Sequence, residues 1–329
     1  MFIRFFRSSF FVQYAFVFVI ALVLWIPALI NPQTLVFENT ENTMLFNVFD
    51  RLLSQIPRIR TIVAFVFLLT QLFFFNLILQ SNNLITKNSS AAAFVFVLLF
   101  SLAPLQTGFY PFVMINPLLL IMLHSAFVLY ELEDIEFPVF KVSLLASVIS
   151  LFYFPAILLL CYIWIVLFII RASSSRIWII SLIGFLCPYF FIASYFYLTD
   201  QLTSQIDLFL DSFDRFGLPA FNFFSWSVIA VITLILILFF YALNIVYSTN
   251  SDKKINLRKK IALAISMFIM AISMFFFTQT PVAQNSFLFV GMAIIISIAM
   301  SQLNKSRFMN IALFVLLILL LINNYQTLF

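Results

Sequence analysis

The chain has 329 residues, of which 64% are hydrophobic, 47 are Phe and only 9% are charged. Soluble globular domains carry roughly 25% charged residues, so this composition excludes one: it holds too little polar surface to face water. The net charge of +5 is dispersed among the ends of apolar runs, which argues against a nucleic-acid-binding patch and marks topology instead.

Lipid offers no partner to backbone N–H and C=O groups, so apolar runs of about 20 residues must be helices, or strands of a closed barrel. The runs here are continuous rather than alternating, which predicts helices. The first, 9–30, follows Arg4 and Arg7. It is longer than the roughly 7 to 15 apolar residues of a secretory signal and is followed by no small-x-small cleavage site, so it is expected to remain as span one.

Span one delivers the chain to the outer side at Asn31, where a water-exposed stretch, 31–60, begins. Within it, 43–56 has helical periodicity: Leu45, Val48, Phe49, Leu52 and Ile56 share one face, opposite Asn47, Asp50, Arg51 and Ser54. This pattern predicts an interfacial helix lying flat on the bilayer. Pro57 ends it, and Arg58 and Arg60 precede span two, 61–80. Span three, 91–105, returns to the outer side, and span four, 112–130, contains Asn116-Pro117, where the missing amide predicts a kink.

An acidic inner loop, 131–141, leads to an apolar block of 29 residues, 142–170. The block is longer than one span needs and short for two, and Pro155 predicts a turn between two short helices, five and six. Span seven, 177–198, opens on a second long outer loop, 199–223. Here Ile206, Phe209, Leu210 and Phe213 face one way and Asp207, Asp211 and Asp214 another, which predicts a second interfacial helix. Span eight, 225–247, ends before Lys253, Lys254, Arg258, Lys259 and Lys260, the densest basic cluster in the chain. Spans nine (261–277), ten (286–301) and eleven (309–322) complete a single all-α transmembrane domain over 1–329.

Charge supports this count. With the N-terminus inside and eleven crossings, four of the 17 Lys and Arg (Arg51, Arg58, Arg60 and Arg215) fall outside, and the other 13 fall inside. That satisfies the positive-inside rule and leaves the C-terminus outside. Were spans five and six one helix, the 253–260 cluster would face outward.

No predicted span carries Asp, Glu, Lys or Arg within its core, and the chain has four glycines. Ion-coupled transporters use buried ionisable groups and Gly-broken helices, so that class is disfavoured. His124, the one histidine, is expected to make a helix-to-helix hydrogen bond, as are Asn76, Asn116, Gln284 and Asn285. Pro188-Tyr189 predicts a kink in span seven. Cys161 and Cys187 lie in apolar runs without metal-ligand spacing and are expected to be buried small hydrophobes. No phosphate-binding Gly-rich loop, nucleophile elbow or zinc-protease helix occurs, and no metal or cofactor is expected. Two glycosylation-acceptor patterns, at Asn88 and Asn304, fall on the inner side as chance matches.

Chemistry is therefore expected in the outer loops. Glu38 and Glu41 lie just past span one, where a carboxylate can take a proton from an acceptor hydroxyl. Arg58 and Arg60, at the mouth of span two, can hold a lipid phosphate through charge-assisted hydrogen bonds. Asp50, Arg51 and Arg215 complete the candidate substrate-binding set. A plainer reading of the same charges is that they solvate loops and anchor helix ends.

In layout the chain resembles the C-type membrane glycosyltransferases, with a first outer loop holding acids and flat helices, a second long outer loop after span seven, and many spans. The eleven-span, N-inside arrangement is similar to the protein mannosyltransferase branch. That resemblance implies transfer of a sugar from a polyprenyl phosphate carrier, with an acid close behind span one as the base. The nearest acids here are Glu38 and Glu41, spaced three apart rather than adjacent. The Phe-rich text is also similar to a multi-pass inner-membrane family of Bacteroidota, which implies a bacterial inner membrane but no activity. The expected partners are membrane lipids and the carrier, with no nucleic acid. Two other function classes stay open: a non-catalytic subunit scaffolding an envelope or secretion complex with other membrane proteins, and an uncoupled transporter or flippase.

Overall fold

The computed structural model describes residues 5–6, 11–32, 57–86, 89–102, 107, 111–172, 174–203, 205–207, 225–249, 255–274, 286–303 and 306–326. Among these there is no strand. The helices are α1 (Phe11–Ile30), α2 (Pro57–Ser81), α3 (Ala91–Leu99), α4 (Pro111–Val128), α5 (Glu136–Phe152), α6 (Leu159–Ile170), α7 (Ser175–Leu198), α8 (Trp226–Ser248), α9 (Ile255–Met274), α10 (Ser286–Gln302) and α11 (Arg307–Gln326).

Six helices are long and apolar enough to cross a membrane: α1, α2, α4 with the short 3-10 turn that extends it to Glu131, α7, α8 and α11. They fit an integral membrane protein. The rest fall short of that measure: α3 has nine residues, α6 has 12, α5 and α10 have 17 each, and α9 opens on Arg258, Lys259 and Lys260. Nine helical residues rise only about 13 Å, less than half a hydrocarbon core of about 30 Å.

Hydrogen bonds between helices fix their directions. Ser90 N–H donates to the Phe6 carbonyl at 2.9 Å, and Trp25 Nε1 to Ser101 Oγ at 3.1 Å, so α1 and α3 are parallel. Asn76 Nδ2 donates to the Tyr14 hydroxyl, which sets α2 antiparallel to α1. Gln71 meets Val113 and Asn82 meets His124, so α2 and α4 are parallel. At the far side of the chain, Ser227 meets Asn323 and Tyr241 meets Ser306, so α8 and α11 are antiparallel. The bundle thus has two ends, which Glu131 and Trp25 mark.

The apolar block 142–170 breaks where Pro155 predicts. α5 stops at Phe152, Tyr153 is extended (φ −150°, ψ 104°), and a 3-10 turn, Phe154–Leu158, starts α6. Because α6 turns back, α7 runs parallel to α5: Glu136 pairs with Arg176 at 3.0 Å at one end, and Ser150 meets the Tyr189 hydroxyl at 2.7 Å at the other. Small residues let these two helices close up. A Cβ on Gly184 would sit 2.9 Å from the Phe140 carbonyl oxygen and 3.0 Å from Ser143 Cβ.

Two helices form the centre. Every residue of α3 is buried, as is every residue of α10 except its last. Both are apolar or small all round, the pattern of a helix with neighbours on every side. The rim is apolar too: Phe74, Leu77, Phe190, Phe191, Phe240 and Ile311 are each at least half exposed. Such a surface suits lipid. Hydroxyls on it turn inward onto their own helices, Thr70 to the Val66 carbonyl (2.9 Å), Ser194 to Phe190 (2.8 Å) and Thr233 to Ile229 (2.7 Å), as polar groups facing hydrocarbon must.

The cysteines depart from expectation. Cys161 is exposed and Cys187 half-buried, on faces of α6 and α7 turned away from the core. An apolar flank tells that a residue avoids water, not whether protein or lipid covers it.

Candidate functional site

Of the predicted site residues, Glu38, Glu41, Asp50, Arg51 and Arg215 lie outside the described residues, together with the predicted interfacial helix at 43–56 and most of the second outer loop. Gln284 and Asn285 do as well. Arg58 and Arg60 are described. Pro57 is the first residue of α2, a position where its missing N–H costs no helical bond, so both arginines sit in the first turn. Arg58 is exposed and Arg60 half-buried.

That placement has an electrostatic consequence. No acidic residue occupies the first turn of α2, and the unpaired N–H groups there already carry a partial positive charge. Two guanidinium groups add to it. A helix N-terminus flanked by guanidinium groups is a place where an anionic group can be held.

Below the arginines, α2 presents Ala64, Leu68 and Gln71 one to two turns apart, following Arg60 down one face. These three line a small cavity of about 10 Å³ with Trp25, Phe100, Val113 and Asn116. Polar contacts gather around it because prolines free backbone carbonyls. Pro117 lacks the N–H that the Val113 carbonyl needs, and Gln71 Nε2 supplies one at 2.9 Å. Pro27 likewise frees the Val23 carbonyl, and the Tyr325 hydroxyl lies 3.4 Å from it. Asn324 Nδ2 reaches the carbonyls of Leu24 (2.9 Å) and Ser101 (2.7 Å), tying α11 to α1 and α3. The Gln71 bond is the interior polar contact expected of Asn116, as the Tyr14 bond is of Asn76; Gln71, Asn323 and Asn324 join them.

A second polar cluster closes the Glu131 end. Lys260, only 3% exposed, donates to Glu131 Oε1 at 2.7 Å and to Asn82 Oδ1 at 3.1 Å. Asn82 also meets His124 Nδ1 at 3.0 Å, the helix-to-helix bond expected of that histidine. Asn82 is held where α2 ends, just before Asn83 turns left-handed at φ 56°, a conformation asparagine tolerates. Beside it Lys259 lies 3.7 Å above the Tyr130 ring. The acidic stretch between α4 and α5 thereby gains a role: Glu131 grips the start of α9, and Glu136 the start of α7.

Sequence reasoning placed Lys260 in the basic cluster that precedes span nine. The signal for its burial lay in helical spacing, since Lys260, Ala264, Met267, Ala271 and Met274 form one stripe, all buried. Chemically, the Glu131 end is a structural clamp, whereas the Trp25 end carries Arg58 and Arg60 above a polar cleft between helices that neither of them lines. Compared with protein-family models, curated proteins and solved structures, the chain matches none.

Proposed function

We propose that this is an integral protein of a bacterial inner membrane whose eleven helices, six of them long enough to cross it alone, alternate in direction between its two faces, Trp25 end outward, and that it takes a polyprenyl-phosphate-linked sugar at its outer face. The observation that supports this reading is the pair Arg58 and Arg60 on the first turn of α2, where helix dipole and guanidinium charge favour the same phosphate. The basic residues of the opposite end, among them Arg171, Arg176, Arg258 and Lys259, support the orientation. Asp50, Arg51 and Arg215 complete the phosphate and substrate contacts. Glu38 or Glu41 removes the proton from an acceptor hydroxyl; its oxygen bonds to the anomeric carbon as the carrier phosphate leaves with the bonding pair.

The test is native mass spectrometry and sugar transfer with the full chain in nanodiscs containing a polyprenyl phosphate sugar. Carrier bound to the isolated chain is expected, weakened at least tenfold in the double variant Arg58→Gln, Arg60→Gln. Glu38→Gln with Glu41→Gln is expected to abolish transfer and keep carrier binding. Full transfer by that variant overturns the catalytic assignment.

A second reading, a non-catalytic subunit of an envelope complex, is favoured by α7. Only 17% of its apolar stretch is buried, against 61% for α4, and Phe190, Phe191, Tyr195 and Tyr197 stand outward. Stoichiometric membrane partners surviving mild extraction, with no carrier bound, would replace the first reading by this one.

A further inference from the structure

Pro117 sets off a chain of orientations that ends in an unmet need. Without its N–H, the Val113 carbonyl accepts from Gln71 Nε2 at 2.9 Å, and this fixes which end of the Gln71 carboxamide faces α4. Gln71 Oε1 then accepts from Asn116 Nδ2 at 3.4 Å, which fixes Asn116 in turn. Neither amide can flip without setting oxygen against oxygen. Among the described residues Asn116 Oδ1, on a side chain 2% exposed, consequently has no partner.

Both carboxamides line the cavity of about 10 Å³, close to the space one water molecule needs. The indole N–H that lines the cavity is already engaged, Trp25 Nε1 by Ser101. Among the described residues the lining holds no charged group to balance an ion.

We propose that this cavity binds a single water molecule, which donates one proton to Asn116 Oδ1 and the other to Gln71 Oε1. Two acceptors and two protons match. The proline break in α4 is then a hydrated joint between α2 and α4, inside an otherwise apolar wall of Ala64, Leu68, Phe100 and Trp25. The site is independent of the carrier chemistry proposed above.

The test is a density map of the full chain in nanodiscs at a resolution that shows ordered water. A peak within about 3.2 Å of both Asn116 Oδ1 and Gln71 Oε1 is expected. A map with ordered waters elsewhere in the bundle and none here overturns the proposal. Radiolytic hydroxyl labelling gives a second readout, since a trapped water oxidises the side chains around it. Labelling of Trp25 and Phe100 is expected to fall at least fivefold in Asn116→Leu, and equal labelling overturns the proposal. If that variant does not fold, the wild-type map decides alone.

Discussion

Gln71 on α2 donates to the backbone carbonyl of Val113 on α4, the group that Pro117, four residues later, cannot serve. Bulk water does not reach that bond in lipid, so the proline and the glutamine are one device on two helices. Replacing Gln71 by Leu leaves the Val113 carbonyl buried and unpaired, at a cost of about 1–3 kcal/mol. In a Pro117→Ala background the helix supplies its own N–H, and the same replacement is expected to cost at least about 1 kcal/mol less. Unfolding of the four proteins of this double-mutant cycle in mild detergent measures the difference. Equal costs in both backgrounds would separate the two residues.

Lys260 and Glu131 hold the opposite end. The ammonium is buried, but the Glu131 side chain is 45% exposed, so the pair is partly screened and weaker than a fully buried one. Lys260→Met and Glu131→Gln are each expected to destabilise by about 1–2 kcal/mol, with the double variant losing less than the sum. Thermal unfolding at low and high salt tests this: the Lys260 contribution is expected to fall only in part at high salt, because the Asn82 bond to the buried ammonium remains while the half-exposed Glu131 is screened.

Gly184 sets the spacing of α5 and α7. A methyl group there meets backbone, the Phe140 carbonyl, rather than the yielding end of a side chain. Gly184→Ala is expected to cost about 1–3 kcal/mol despite its better helix propensity, and Gly184→Leu to part the two helices. A disulfide-trapping series between Ser150 and Tyr189 positions, at the far end of the same contact, reports the separation. Unchanged cross-linking in the Leu variant would show that the close approach is not what holds these helices.

The alternation of helix ends predicts sidedness that labelling can read. With Cys161 and Cys187 replaced by Ala, single cysteines at Asp200 and at Glu133 are expected to react with a membrane-impermeant maleimide from opposite sides. Both native cysteines face outward from the core, so their removal is expected to shift stability by about 0.5 kcal/mol or less. Reaction of both positions from one side would remove one of the turns, with the reversal at Tyr153 to Pro155 the first to re-examine.

Much of the architecture was local and therefore legible. Apolar runs dictate helices because backbone groups have no other partner in lipid, and Pro155 and Pro117 act on their own helices whatever surrounds them. The basic ends and the polar interior positions Asn76, Asn116 and His124 were read from the same local rules. What the tertiary structure decided was which face of each helix meets protein. In a soluble protein polarity tells the two faces apart, but here both the core and the lipid are apolar, so Phe96 at the centre and Phe190 at the rim look alike in sequence. Shape complementarity between helices chose between them, and with that choice came the burial of Lys260, the exposure of Cys161 and the pairing of Gln71 with a carbonyl 42 residues away.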